Sequence, residues 1–93
     1  MNIKYTVQFL KKVEQIYEEA KYIVRYEKGN FASGYCMLEH KKVVVVNKFL
    51  NTEGRINALL EILPSIRIGQ NLLSEASLKM LGQLNITPQL IEN

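Results

Sequence analysis

Four consecutive valines, Val43 to Val46, constrain this chain more than any other stretch of it. β-Branched residues favour extended backbone, and successive side chains of a strand point to opposite faces. Val43 and Val45 therefore load one side of a sheet, and Val44 and Val46 load the other. The expectation is a strand that is covered twice.

The residues around it read as two more strands. Tyr22, Val24 and Tyr26 alternate with Ile23, Arg25 and Glu27, which predicts a strand with one aromatic and one mixed face. In "KGN", Gly29 and Asn30 both tolerate positive φ, so the chain is expected to reverse there. A second extended run follows in "GYCMLE" and a third in "KVVVVNKF". The "EHKK" between them offers no Gly or Asn for a tight primed turn, so a hairpin is expected whose register the sequence leaves open.

Helical periodicity flanks this region. Phe9, Leu10, Val13, Ile16, Tyr17 and Ala20 share one arc of a helical wheel, and Lys11, Lys12, Glu14, Gln15, Glu18 and Glu19 occupy the other side. Asn51 or Thr52 is placed to cap a second helix with a stripe of Ile56, Leu59, Leu60 and Leu63, stopped by Pro64. Beyond a loop through "SIRIGQN", Ser74 caps a third. Leu73 and Leu78 are spaced as a hydrophobic staple, and Leu78, Leu81 and Leu84 form the stripe. Ninety-three residues support one core only. The fold expected is thus a single α+β domain over residues 1–93: an N-terminal helix, a three-stranded, mainly antiparallel sheet and two C-terminal helices.

An apolar fraction of 47% with 23% charged residues fits a soluble globular domain. Twelve Lys and Arg against nine Asp and Glu leave a net charge of +3, too mild an excess to make nucleic acid the expected partner. The first twenty residues hold no continuous apolar run, so neither a signal peptide nor a membrane association is expected, and the reading is cytoplasmic. One cysteine, Cys36, agrees with a reducing compartment. Asn85, Ile86 and Thr87 match a glycosylation acceptor but without a secretory signal to use it.

The chemistry available is sparse. A catalytic zinc site needs three protein ligands, and a single histidine, His40, with Cys36 does not supply them, so no metal or cofactor is expected. Four residues along a strand would hold Cys36 and His40 roughly 13 Å apart, beyond proton-transfer reach. Cys36 is then expected in the core and His40 in an exposed turn. Lys28, Gly29, Phe31 and Tyr35 offer the charge and stacking groups of RNA-recognition sheets, but neither their spacing nor the element order matches. What remains is a candidate ligand or partner surface of Arg25, Glu27, Lys28, Asn30, Phe31 and Tyr35. No nucleophile with a base, no paired carboxylates and no phosphate-binding glycine loop accompanies it.

The stretch "RYEKGNFASGYCMLEHKKVVVVNKFLNTEGRINALLEIL", residues 25 to 63, resembles the central signature of a group of short uncharacterised bacterial proteins, over less than half of the chain. That likeness brings no activity with it. More distantly, a strand leading into "NTEGRINALLEIL" is similar to the minimal core of zincin metallopeptidases. In that frame Leu60 and Pro64 stand where the two histidines would be and Glu61 at the general base, which implies a related fold with its zinc ligands absent.

Three short strands and three helices are hard pressed to cover both faces of the valine strand while also hiding Tyr35, Met37, Ile66, Ile68 and Leu72. Self-association, most simply a symmetric homodimer, is the expected remedy. The functional expectation is a non-enzymatic interaction or regulatory module, with a protein partner or a second copy. A small-molecule or catalytic site around the turn from Arg25 to Tyr35 is the alternative, and weak nucleic-acid binding a second.

Overall fold

The N-terminal helix, α1 (Val7–Glu19), begins where the extended residue Thr6 accepts the Phe9 N–H on its hydroxyl at 3.1 Å. Such a cap satisfies one of the donors that a helix start leaves unpaired. A computed structural model describes residues 3–29 and 35–91, the side chains of Tyr35 and Glu39 apart. Phe9, Leu10, Val13, Ile16 and Tyr17 are buried, the face that the wheel predicts. Lys21 ends the helix in a left-handed conformation, φ 68°. Its N–H donates to the Glu18 carbonyl at 3.0 Å, and that of Tyr22 donates to the Tyr17 carbonyl at 2.9 Å. This is a Schellman motif, which satisfies the last carbonyls and turns the chain back.

The chain enters β1 (Ile23–Glu27), then β2 (Tyr35–Leu38) and β3 (Val43–Asn47), in the spatial order β1-β3-β2. β3 pairs in parallel with β1, Ile23 beside Val43 through Glu27 beside Asn47, and antiparallel with β2, Tyr35 beside Val46 through Leu38 beside Val43. The α+β class and order stand, and the sheet itself is mixed, one parallel and one antiparallel pair. β1 and β2 run in opposite directions as a reversal after Gly29 predicts, but the valine strand sits between them. A central position suits it, because both of its hydrogen-bonding edges are then paired and its side chains are shielded from either flank. Asn30 lies outside the described residues. A 3-10 turn at Glu39–Lys41 and Lys42 at φ 52° close the hairpin in place of the glycine or asparagine that "EHKK" lacks.

Asn51 caps α2 (Thr52–Ile62), its side-chain oxygen accepting the Gly54 N–H at 2.8 Å. Burial on α2 covers Ile56, Ala58, Leu59 and Ile62, broader than one stripe, with Leu60 half-buried. The expected loop through residues 65–71 contains a short strand, β4 (Arg67–Gly69), which pairs in parallel with β5 (Gln89–Ile91) after α3 (Glu75–Leu84). Ile66 and Ile68 are fully buried and anchor this second, two-stranded sheet. Three residues with one apolar side are too short to announce a strand by alternation.

Ser74 caps α3 by accepting the Ser77 N–H at 3.2 Å, while its own N–H donates to the Glu19 carboxylate at 3.0 Å. The carboxylate that a capping box would place on the same helix is supplied here by α1. Burial pushes the Glu19 carboxyl up, but the bonds from Ser74, Ser77 and Gln15 outweigh it and hold the group below its ordinary value. The buried face of α3 is Ser77, Met80 and Leu81, so the expected stripe is rotated: Leu78 is 45% exposed, and the Leu73 to Leu78 staple gives way to Leu73 alone in the core. Ser77 is a buried polar residue, which a hydrophobic pattern does not register.

The buried apolar residues of all three helices form one cluster with Val44 and Val46, and Val43 and Val45 are not part of it. The helices therefore cover a single face of the three-stranded sheet. In agreement, the Cα trace extends 34 by 32 Å but only 17 Å through its thin direction.

Candidate functional site

Strand register decides what the uncovered face presents. Residues in register share a face, so Ile23, Val43 and Leu38 form one row across the three strands, Arg25, Val45 and Cys36 the next, and Glu27 and Asn47 a third. All four valines are buried as expected, but among the described residues the helix-bearing core cluster holds only Val44 and Val46, not the two valines of this side. Val43 and Val45 keep only 7% and 9% exposure, whereas the residues that flank Val43 stand in the open. Ile23 is 57% exposed and Leu38 38%.

The polar residues of this face are paired. The Arg25 Nε lies 2.6 Å from Glu27 Oε2, two positions along one face of β1. Both side chains remain largely accessible, so the pair adds little to stability, but it leaves no lone charge among the described residues of these three rows. Cys36, expected in the core, is a free and exposed thiol. It lies on this face because its register partner is Val45 rather than Val44.

Of the six residues singled out in the sequence, the structure brings Arg25 and Glu27 together. Lys28 is exposed just beyond β1, and the Tyr35 backbone pairs with Val46. Asn30 and Phe31 lie outside the described residues. Tyr26, between Arg25 and Glu27 in sequence, is on the opposite face of β1. Its hydroxyl donates to the Glu14 carboxylate, and the Arg55 guanidinium lies 4.4 Å from its ring centre. Arg55 also donates to the Leu50 carbonyl at 3.0 Å and to the Lys48 carbonyl at 2.8 Å. Burial, then the bond and charge of Glu14, push the Tyr26 hydroxyl well above its ordinary value. These groups satisfy one another and tie α1, β1 and the start of α2 together.

The remaining candidates are separated. Cys36 belongs to the open face, whereas His40 sits in the turn before β3, exposed as expected. At the end of α2, Leu60 is half-buried while Glu61 and Pro64 are exposed. Among the described residues no three His, Cys, Asp or Glu side chains are grouped to hold a metal ion. Sequence reasoning missed Ile23 and Leu38 as surface residues. Alternation placed Ile23 opposite Val24, but only the register with Val43 shows that the two residues flank one valine. No helix among the described residues is long and apolar enough to cross a membrane. Comparison of the chain with known protein families, with curated proteins and with solved structures found no match in any of the three.

Proposed function

We propose that this protein is a non-enzymatic interaction module of the cytoplasm that pairs reversibly with a second copy of itself through the open face of its sheet. The observation that carries this reading is the apolar row in which exposed Ile23 and Leu38 flank Val43, on a face with no helix over it among the described residues. A two-fold axis running along β3 sets this row against the same row of the partner copy, Ile23 facing Leu38, with Val45 on Val45. An axis across the strands would instead oppose Ile23 to Glu27 and Arg25 to Arg25, which wastes the apolar contact and adds repulsion. Because Arg25 and Glu27 neutralise each other, no uncompensated charge is carried into the contact. An apolar centre with a polar rim is the usual anatomy of such surfaces.

Strand geometry sets the strength. Three strands about 4.8 Å apart and five residues at about 3.3 Å give a face of roughly 14 by 16 Å, well below the area of a permanent dimer and suited to reversible association. Sedimentation over a wide concentration range tests the reading. Wild type is expected to pass from a 10.7 kDa species to one of twice that mass as concentration rises. Ile23→Asp and Leu38→Asp, both at exposed positions, are expected to stay monomeric with unchanged circular dichroism. A wild-type chain that remains at 10.7 kDa at millimolar concentration sinks the proposal.

A further inference from the structure

A separate concavity of about 400 Å³ lies at the other end of the main sheet from Glu27, lined by Tyr22, His40, Lys42, Arg67 and Ile91. Backbone bonds build it. The Ile23 N–H donates to the Lys42 carbonyl at 2.8 Å and fixes the starts of β1 and β3 side by side. The Tyr22 hydroxyl donates to the Arg67 carbonyl at 3.3 Å and draws β4 to the same corner, while β5 contributes Ile91. The cavity thus joins the two sheets.

Its charge among the described residues is one-signed. Lys42, with His40 two positions before it, comes from the turn that closes the hairpin and Arg67 from β4, and no carboxylate among the described residues lines the space. The groove along α1 is a useful contrast, since there Lys11 and Lys21 are balanced by Glu14, Glu18 and Glu19. Among the described residues no acid pairs with His40, Lys42 or Arg67, and the Lys42 ammonium rests 6.0 Å over the Tyr22 ring. Cations gathered in a concavity repel one another and raise the local potential for an anion. The planar fork of arginine and the point charge of lysine together match a phosphate. A lone phosphate would not fill the space, and Ile91, 42% exposed, adds an apolar wall for an organic group.

We infer that this corner binds a small phosphomonoester. Inorganic phosphate, pyrophosphate, adenosine monophosphate and a short oligothymidylate are to be titrated into the full chain, followed by amide and arginine side-chain NMR shifts. Adenosine monophosphate and pyrophosphate are expected to move the signals of Tyr22, Lys42, Arg67 and Ile91 saturably, adenosine monophosphate more tightly than inorganic phosphate, and more weakly in added salt. Arg67→Gln and Lys42→Gln are each expected to weaken adenosine monophosphate about tenfold or more. Arg67→Lys is expected to fall between wild type and Arg67→Gln, and Lys79→Gln on α3 to bind as wild type. The same spectra report whether each variant is folded, and Lys42 lies outside the regular elements. Equal shifts with sodium chloride at matched ionic strength would overturn the inference. So would undiminished binding by folded Arg67→Gln and Lys42→Gln. Binding of the oligothymidylate without the small phosphates would reassign the corner to nucleic-acid backbone.

Discussion

The Tyr22 N–H donates to the Tyr17 carbonyl at 2.9 Å, and the rings of the same two residues meet edge to face with centroids 6.4 Å apart. A Schellman motif joins these positions by backbone and by apolar contact at once. The residue between the helix and Tyr22 must be left-handed, and here it is Lys21 at φ 68°. A β-carbon in that conformation costs about 1 to 2 kcal/mol. Lys21 is exposed, so Lys21→Gly is expected to raise stability by about 0.5 to 1 kcal/mol after the extra unfolded-state entropy of glycine is subtracted. The check is a higher urea midpoint at unchanged m-value, and a lower midpoint would mean that the lysine side chain itself holds the corner.

The valine strand gives a test of which face is covered. Val44 is fully buried beneath the helices, whereas Val45 lies on the open face. Val44→Thr places a hydroxyl in the core without a partner and is expected to cost about 1 to 3 kcal/mol. Val45→Thr, at a position outside the core cluster, is expected to cost less than Val44→Thr when measured at low protein concentration. Equal losses at the two positions would show that something packs over Val45.

Much of this arrangement was legible in the chain before any coordinates, because it rests on local chemistry. The burial of Phe9, Leu10, Val13, Ile16 and Tyr17, the cap at Ser74, a cap at Asn51 or Thr52, and the strand character of Val43 to Val46 all follow from spacing and residue type. What was not legible depends on contacts distant in sequence. The insertion of β3 between β1 and β2 is a choice of partner. The rotated face of α3 buries a serine, Ser77, and its start is held by Glu19 of α1, 55 positions away from Ser74. The open face could be suspected from a surplus of apolar residues, but its members, Ile23 and Leu38, appear only once both strands are in register with Val43. The basic corner draws on residues 22, 40, 42, 67 and 91, which no local pattern connects.

Two helical glycines differ in the room around them. A β-carbon on Gly82 would meet nothing within 4 Å, whereas one on Gly54 would come 3.2 Å from the Leu50 β-carbon and 3.3 Å from the Asn51 oxygen that caps α2. Gly82→Ala is therefore expected to stabilise α3 by about 0.5 to 1 kcal/mol, the ordinary helical difference between the two residues. Gly54→Ala is expected to gain less than that, because the helical benefit is offset by crowding at the cap. Thermal midpoints of the two variants beside wild type decide it, and a larger gain at Gly54 would contradict the packing described for Leu50.

The Tyr26 hydroxyl supplies a dependence on alkaline pH. In an unfolded chain a tyrosine loses its proton at about pH 10. In the folded protein burial, then the bond to Glu14 and its negative charge, keep the proton on to a higher pH, against the opposing pull of Arg55. The folded state thus binds this proton more tightly than the unfolded state. Its contribution to stability is complete below about pH 10 and is lost as pH rises through the raised folded value. Tyr26→Phe removes the titration together with the bond to Glu14. At neutral pH the variant is expected to be less stable by about 1 kcal/mol, the usual net worth of such a hydrogen bond. Between about pH 10 and 11.5 the wild-type urea midpoint is expected to fall more steeply than that of the variant, so that the gap between them narrows. A gap that stays constant over that range would detach Tyr26 from the alkaline loss of stability, and would leave its bond to Glu14 as a purely geometric tie between α1 and β1.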